Sequence, residues 1–157
     1  MKLDIRLEGF MEPCYTVKPA SLEELLLVDS QIPEFDGRNT LSKLQAKCAD
    51  VEHLALVAYI DNEPVAYKLG YALDSNTFYS WLGAVVPKCR GNGIAQALLN
   101  AQETWVQEHN YRAIKVKSMN RFPAMLSMLI KNSYAIVGYE DRGCPQASKI
   151  LFSKVFD

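Results

Sequence analysis

The stretch Val85-Val86-Pro87-Lys88-Cys89-Arg90-Gly91-Asn92-Gly93-Ile94-Ala95-Gln96-Ala97-Leu98-Leu99 concentrates the residues best suited to chemistry. An apolar run stops at Pro87, a short loop with two glycines follows, and an apolar pattern of helical period begins at Ile94. A glycine-rich loop between a strand and a helix start is physically an anion cradle. Glycines let the backbone approach a phosphate, and the first amide N–H groups of a helix have no intrahelical partner. The loop therefore predicts a phosphate-bearing ligand held by the backbone from Gly91 to Gln96.

Three phosphate loops compete for this spacing. A P-loop requires Gly-Lys-Ser or Gly-Lys-Thr, and the chain contains neither. A dinucleotide fingerprint requires a third glycine where Gln96 stands, and it opens a βαβ unit instead of following several strands. The pattern that remains is Arg90, then Gly93, then Ala95.

The rest of the chain supplies the elements that position this loop. At 157 residues it reads as a single domain, residues 1–157, large enough to bury a core without disulfides or metal. A net charge of −1 gives no basic excess for nucleic acid or an anionic membrane. No apolar run approaches the ~18 residues of a membrane span. Lys2, Asp4, Arg6 and Glu8 argue against a secretory leader in the first ten residues. Cys14, Cys48, Cys89 and Cys144 are far apart in sequence, which reads as reduced thiols in a cytoplasmic protein. His53 and His109 make no pair at metal-ligand spacing, and His109 falls at the end of its helix.

Along the chain, Cys14 to Lys18 reads as a strand, and Ser21 with Glu24 matches a capping box opening a short helix. A loop through Pro33-Glu34-Phe35-Asp36-Gly37 leads to a second short helix from Leu41 to Cys48. Three strands follow, at 54–60, 65–73 and 77–86, with Gly83 marking a bulge or a close approach by a ligand. After the loop, Ile94, Leu98, Ala101 and Trp105 form one face of an amphipathic helix. A strand at 113–117, a helix at 123–132 and strands at 134–139 and 149–156 complete the order. This order gives an α/β (α+β) fold with helices on the faces of a mixed sheet.

On these residues the chain resembles the GNAT acetyltransferase superfamily. Pro87, Arg90-Gly91-Asn92-Gly93-Ile94-Ala95 and Leu98-Leu99 look like that family's acetyl-CoA loop and helix. Ser118-Met119-Asn120, a helix, and Lys131-Asn132-Ser133-Tyr134 are similar to its downstream asparagine, helix and Gly-Phe segment, with Ser133-Tyr134 in place of Gly-Phe. The resemblance implies a mostly antiparallel central sheet of six to seven strands with about four helices. It also implies acetyl-CoA as acetyl donor, its diphosphate on the amides of Gly91, Asn92, Gly93, Ile94, Ala95 and Gln96. The pantetheine arm would pair with Gly83, Ala84 and Val85, with further contacts from Asn120 and Arg90.

The match thins at the chemistry. Many relatives draw a proton from a tyrosine at the position held here by Leu129, and others use a glutamate where Tyr79 or Lys115 stands. Counting by two along the strand places Tyr79, Trp81 and Gly83 on one face, with Tyr79 and Trp81 toward the acceptor. Tyr79 is then the candidate proton donor or water-orienting group, against the plainer reading of a core aromatic. Glu34 and Asp36 lie in the loop where family members often shape the acceptor site, and would attract a cationic amine. The leading expectation is an N-acetyltransferase for a primary amine of a small molecule or peptide. The alternatives are a non-catalytic acyl-CoA-binding or sensory domain, favoured by Leu129, and more remotely an interaction module. The edge of the C-terminal strands leaves room for a homodimer.

Overall fold

A computed structural model describes residues 14–157; the charge pattern at Lys2, Asp4, Arg6 and Glu8 lies outside the described residues. The elements are β1 (Tyr15–Pro19), α1 (Leu22–Asp29), α2 (Leu41–Cys48), β2 (His53–Ile60), β3 (Glu63–Ala72), β4 (Thr77–Val85), α3 (Ile94–Glu108), β5 (Ala113–Met119), α4 (Pro123–Lys131), β6 (Ala135–Glu140) and β7 (Lys149–Val155). They build one seven-stranded sheet in the order β1-β2-β3-β4-β5-β7-β6, and only β4 and β5 run parallel.

The predicted capping box is present. Glu24 N–H donates to Ser21 Oγ at 3.1 Å, and Ser21 N–H reaches back to Glu24 Oε1 at 3.4 Å. These bonds fix the start of α1 after the β1 turn. β2 is buried along nearly its whole length because helices cover both faces of the sheet centre.

Strand parity shows which helix takes which face. Tyr67 Oη donates to Asp29 Oδ1 of α1 at 2.6 Å, whereas Gly70, of opposite parity on β3, lies under Gln102 of α3. Thus α1 packs on one face and α3 on the other. The buried stripe of α3 is Ile94, Leu98, Leu99, Gln102 and Val106, while Ala101 and Trp105 are only partly buried. Trp105 instead leans on Phe78 at 5.4 Å between ring centroids and stacks on His109 at 3.9 Å. His109 caps the helix, as expected from its sequence position.

The Asp29 carboxylate is 2% exposed and also accepts from Asn39 Nδ2 at 2.9 Å. Burial and this carboxylate together push the Tyr67 hydroxyl well above the ordinary phenol range. Tyr67→Phe removes one of the two side-chain donors to Asp29. The expected cost is about 2 kcal/mol, read as a shift in the urea midpoint at constant slope.

The sheet ends in β6, an edge strand with Ile136, Val137 and Tyr139 more than half exposed. Among the described residues, no helix is long and apolar enough to cross a membrane.

Candidate active site

The chain leaves β4 at Val85 and makes a single 3₁₀ turn at Pro87–Cys89. Gly91 and Gly93 then adopt φ of +82° and +81°, and α3 begins. That left-handed backbone explains the glycine at each position, since a side chain there is strained. No acceptor among the described residues takes the N–H groups of Gly91 through Gln96, and Gly93 supplies no capping side chain. A Cβ built on either glycine meets nothing within 4 Å, so the space in front of the loop is open. Reciprocal hydrogen bonds between Gln96 and Asn132, at 2.8 and 2.9 Å, tie the start of α3 to the end of α4.

Arg90 is engaged within the fold. Its Nε donates to Val85 O at 2.9 Å, and its guanidinium forks onto Glu34 at 3.0 and 3.1 Å. Arg90 holds the Glu34 carboxyl below its usual range. The pair therefore clips the glycine loop to the segment between α1 and α2, and neither charge is directed at an acceptor. Asp36 is exposed in a left-handed cap beside it. Asn120 Nδ2 donates to Pro145 O at 3.1 Å, joining the β5–α4 turn to the β6–β7 connection.

The sheet opens next to this loop. Parallel pairing of β4 with β5 runs from Thr77 against Ala113 to Ser80 against Val116 and stops there. Beyond it, Leu82 to Val85 keep β3 on one side but have no β5 partner, while β5 continues alongside β7. Gly83, Ala84 and Val85 therefore have no strand partner on this side, although Val85 O already accepts from Arg90 Nε.

One expectation about this strand needs correction. Gly70 pairs with Ser80 and Leu69 with Leu82, so Trp81 is an extra residue, a bulge. Parity switches across it. Tyr79 and Trp81 share a face, both edge-on to Tyr71 at 5.5 and 5.7 Å, but Gly83 belongs to the opposite face, against Lys68. The bulge also sits at Trp81, two residues before the glycine expected to mark it.

On the Tyr79 face, where the strands part, lies a cavity of about 390 Å³. Tyr71, Tyr79 and Trp81 form its aromatic wall, and Lys47, Lys115 and Lys117 project into it from α2 and β5. Tyr79 stands directly beside Lys115 in the strand register. Burial, with smaller effects from Tyr71 and Glu140, raises its hydroxyl to about 12, so it keeps its proton through the neutral range. Leu129 is 1% exposed and belongs to the core. Glu34 and Asp36 do not line the cavity.

Sequence reasoning missed Tyr71, Lys47, Lys117 and Lys68 as neighbours of the site. Tyr71 was accessible, because the turn at Asp74-Ser75-Asn76 pairs it with Tyr79 across the hairpin. Lys68 was signalled by a lysine in the middle of an otherwise apolar strand. It is 6% exposed beneath Gly83, and burial lowers its ammonium to about 8 against a partial opposing pull from Glu103.

The sheet is thus split beside the glycine loop, with a cavity at the split. Residues 20–125 match the Acetyltransferase (GNAT) family, and the chain belongs to that family. Solved structures agree on the fold. Ard1 from Thermoplasma volcanium superposes with a TM-score of 0.76 at 13% identity, covering 91% of this chain and 98% of that one. A GNAT family acetyltransferase from Elizabethkingia anophelis with acetyl-CoA bound gives 0.72 at 16% identity, with 92% and 100% covered. The ribosomal-protein-S18-alanine N-acetyltransferase from Escherichia coli gives 0.75 at 11% identity, with 88% and 92% covered. No curated protein gives a significant match.

Proposed function

We propose that this protein moves an acetyl group from acetyl-CoA to a primary amine of a small molecule or peptide. The observation that carries this reading is the continuity of three features along β4. The amide cradle stands just beyond its end, the unpaired edge at Gly83 to Val85 follows, and the cavity with Tyr79 opens where pairing resumes.

The residues fit acetyl-CoA. The amides of Gly91 to Gln96 offer unpaired donors to a diphosphate, favoured further by the start of α3. The open β4 edge would offer main-chain groups of Gly83 and Ala84 to the pantetheine arm, with Tyr79 and Trp81 further along the same strand. When bound, acetyl-CoA supplies a thioester carbonyl open to attack by a neutral amine. In the net reaction the carbon–sulfur bond breaks as the carbon–nitrogen bond forms, and the proton lost by the amine ends on the departing sulfur.

This chain's part is positioning and proton handling. Packing of the bulged strand against Tyr71 holds Tyr79 and Trp81 in place, so little reorganisation remains for the reacting groups. Tyr79 is protonated at neutral pH and would be available to donate a hydrogen bond to the departing sulfur. Leu129 stands where the resemblance implies a tyrosine, and a leucine cannot donate, which supports reading Tyr79 as the donor.

The test is calorimetry with acetyl-CoA followed by thiol release across an amine panel. Binding with no turnover on any amine would favour the sensory reading. Tyr79→Phe should lower kcat about 100-fold while leaving the acetyl-CoA Kd unchanged. An unchanged kcat would remove Tyr79 from the chemistry and return it to a packing role.

A further inference from the structure

The charge of the acceptor cavity has the opposite sign to that expected from the loop carboxylates. Its lining includes three lysines and no aspartate or glutamate. Lys115 and Lys117 are alternate residues of β5 and share the face of Tyr79, and Lys47 comes from the last turn of α2. The lysines thus reach the cavity from two separate elements around one aromatic wall.

The carboxylates that act on Lys115 and Lys117, Asp74 and Glu140, have other partners as well. Glu140 accepts from Lys117 Nζ at 2.8 Å and from Arg142 Nη2 at 3.0 Å, so it neutralises one cation while facing two. Lys149 adds a further cation to that group; burial first, then Arg142, Lys117 and Arg121, lower its ammonium against an opposing pull from Glu140. Asp74 feels Lys115, but its Oδ1 accepts the backbone N–H groups of Asn76 and Thr77, both at 2.8 Å. No carboxylate of the described residues lies within 4.0 Å of the ammonium groups of Lys47 or Lys115. Of the two loop acids expected to draw in a cation, Glu34 is clipped to Arg90 and Asp36 is exposed, and neither lines the cavity.

We propose that the acceptor is an amine carrying a carboxylate close to its reactive nitrogen, held by Lys47, Lys115 and Lys117 over Tyr71, Tyr79 and Trp81. This rests on the acetyltransferase reading above and names the substrate class of the same site. Two physical effects converge on it. The carboxylate gains charge-assisted hydrogen bonds in a partly enclosed cavity. The same lysines disfavour an ammonium among them, so a bound amine is kept in the neutral form that attacks the thioester. A substrate with only cationic groups suffers the repulsion without the anchor.

The experiment uses two matched series with the full chain and acetyl-CoA. One is β-alanine, β-alanine amide and 1,3-diaminopropane; the other is the C-terminally amidated tripeptides Ser-Glu-Glu, Ser-Gln-Gln and Ser-Lys-Lys. In at least one series the acidic member should exceed the basic one by about tenfold or more in kcat/KM, and the series that responds tells a small molecule from a peptide. The same order is expected in calorimetric binding of the tripeptides to the CoA-loaded protein, which needs no turnover. Lys115→Glu, at an exposed strand position, should abolish or reverse the preference while leaving acetyl-CoA affinity unchanged.

Preference for the basic members, indifference to charge, or no acceptor binding to the CoA-loaded protein overturns the proposal. So does a loss of acetyl-CoA affinity in Lys115→Glu, which would mean that the lysines serve the cofactor. Failure of the wild-type protein to bind acetyl-CoA at all is a different result, and it overturns the acetyltransferase reading itself.

Discussion

Replacing Gly93 with tryptophan is expected to abolish acetyl-CoA binding in a protein that still folds. Gly93 has φ of +81° and caps α3 with its backbone alone. A Cβ there meets no atom within 4 Å, so the new side chain leaves the backbone without a clash at its first atom and would compete for the space proposed for the diphosphate. Left-handed backbone at a non-glycine residue costs about 1–2 kcal/mol, which a domain of this size tolerates. The affinity loss should exceed about 100-fold, equivalent to roughly 2.7 kcal/mol. Gly93→Ala separates the two effects, because it imposes the same backbone strain without the bulk. It should bind acetyl-CoA within about tenfold of the natural protein. Titration calorimetry on both variants, with circular dichroism to confirm the fold, decides the matter. Wild-type affinity in Gly93→Trp would place the phosphates elsewhere.

The contrast between what the sequence made legible and what it did not follows the range of the interactions. The boundaries of α1 and α2 could be read because their signals are local: Ser21 with Glu24, and a helical run ending at Cys48. The cradle could be read for the same reason, since two glycines, a proline and a helix start lie within a few residues. The bulge at Trp81 could not. It arises from the pairing of β3 with β4, where one surplus residue reverses the parity of everything after it, so Gly83 moves to the face opposite Tyr79.

Long-range pairs were hidden in the same way. Arg90 and Glu34 are 56 residues apart, and each looked available for a ligand when taken alone. The cavity's basic wall combines α2 with β5, two elements whose proximity depends on the whole sheet. Gln102 shows the limit of helical periodicity. It is fully buried among apolar neighbours, and neither of its side-chain polar atoms has a hydrogen-bond partner among the described residues. Its spacing from Leu98 and Val106 puts it on the apolar face, unlike Gln107, but nothing local in the sequence signals that its amide goes unpartnered.

Gly70→Ala should be among the most destabilising single-atom changes available in the sheet, and it tests whether the bulged strand controls the site. The backbone of Gly70 is unexceptional; the constraint is space. An added Cβ would lie 2.4 Å from Phe78 Cε2, 2.7 Å from Tyr79 O and 3.0 Å from Gln102 Nε2. Phe78 is fully buried against Trp105 and Tyr111, so its ring has little freedom to retreat. Tyr79 O is main chain, and relieving that contact means moving β4 itself. Overpacking of this kind costs about 3 kcal/mol. For a domain of this length that corresponds to a fall of roughly 6–12 °C in Tm by calorimetry.

The displaced strand carries Tyr79 and Trp81 into the cavity, whereas the cradle begins beyond its far end. Below its new Tm, Gly70→Ala should therefore bind acetyl-CoA nearly as well as the natural protein yet transfer acetyl groups about tenfold more slowly. Equal losses of binding and turnover would mean that the whole sheet had yielded. An unchanged Tm would show that the contact at Gly70 relaxes at little cost, and that β4 is held less firmly than its packing implies.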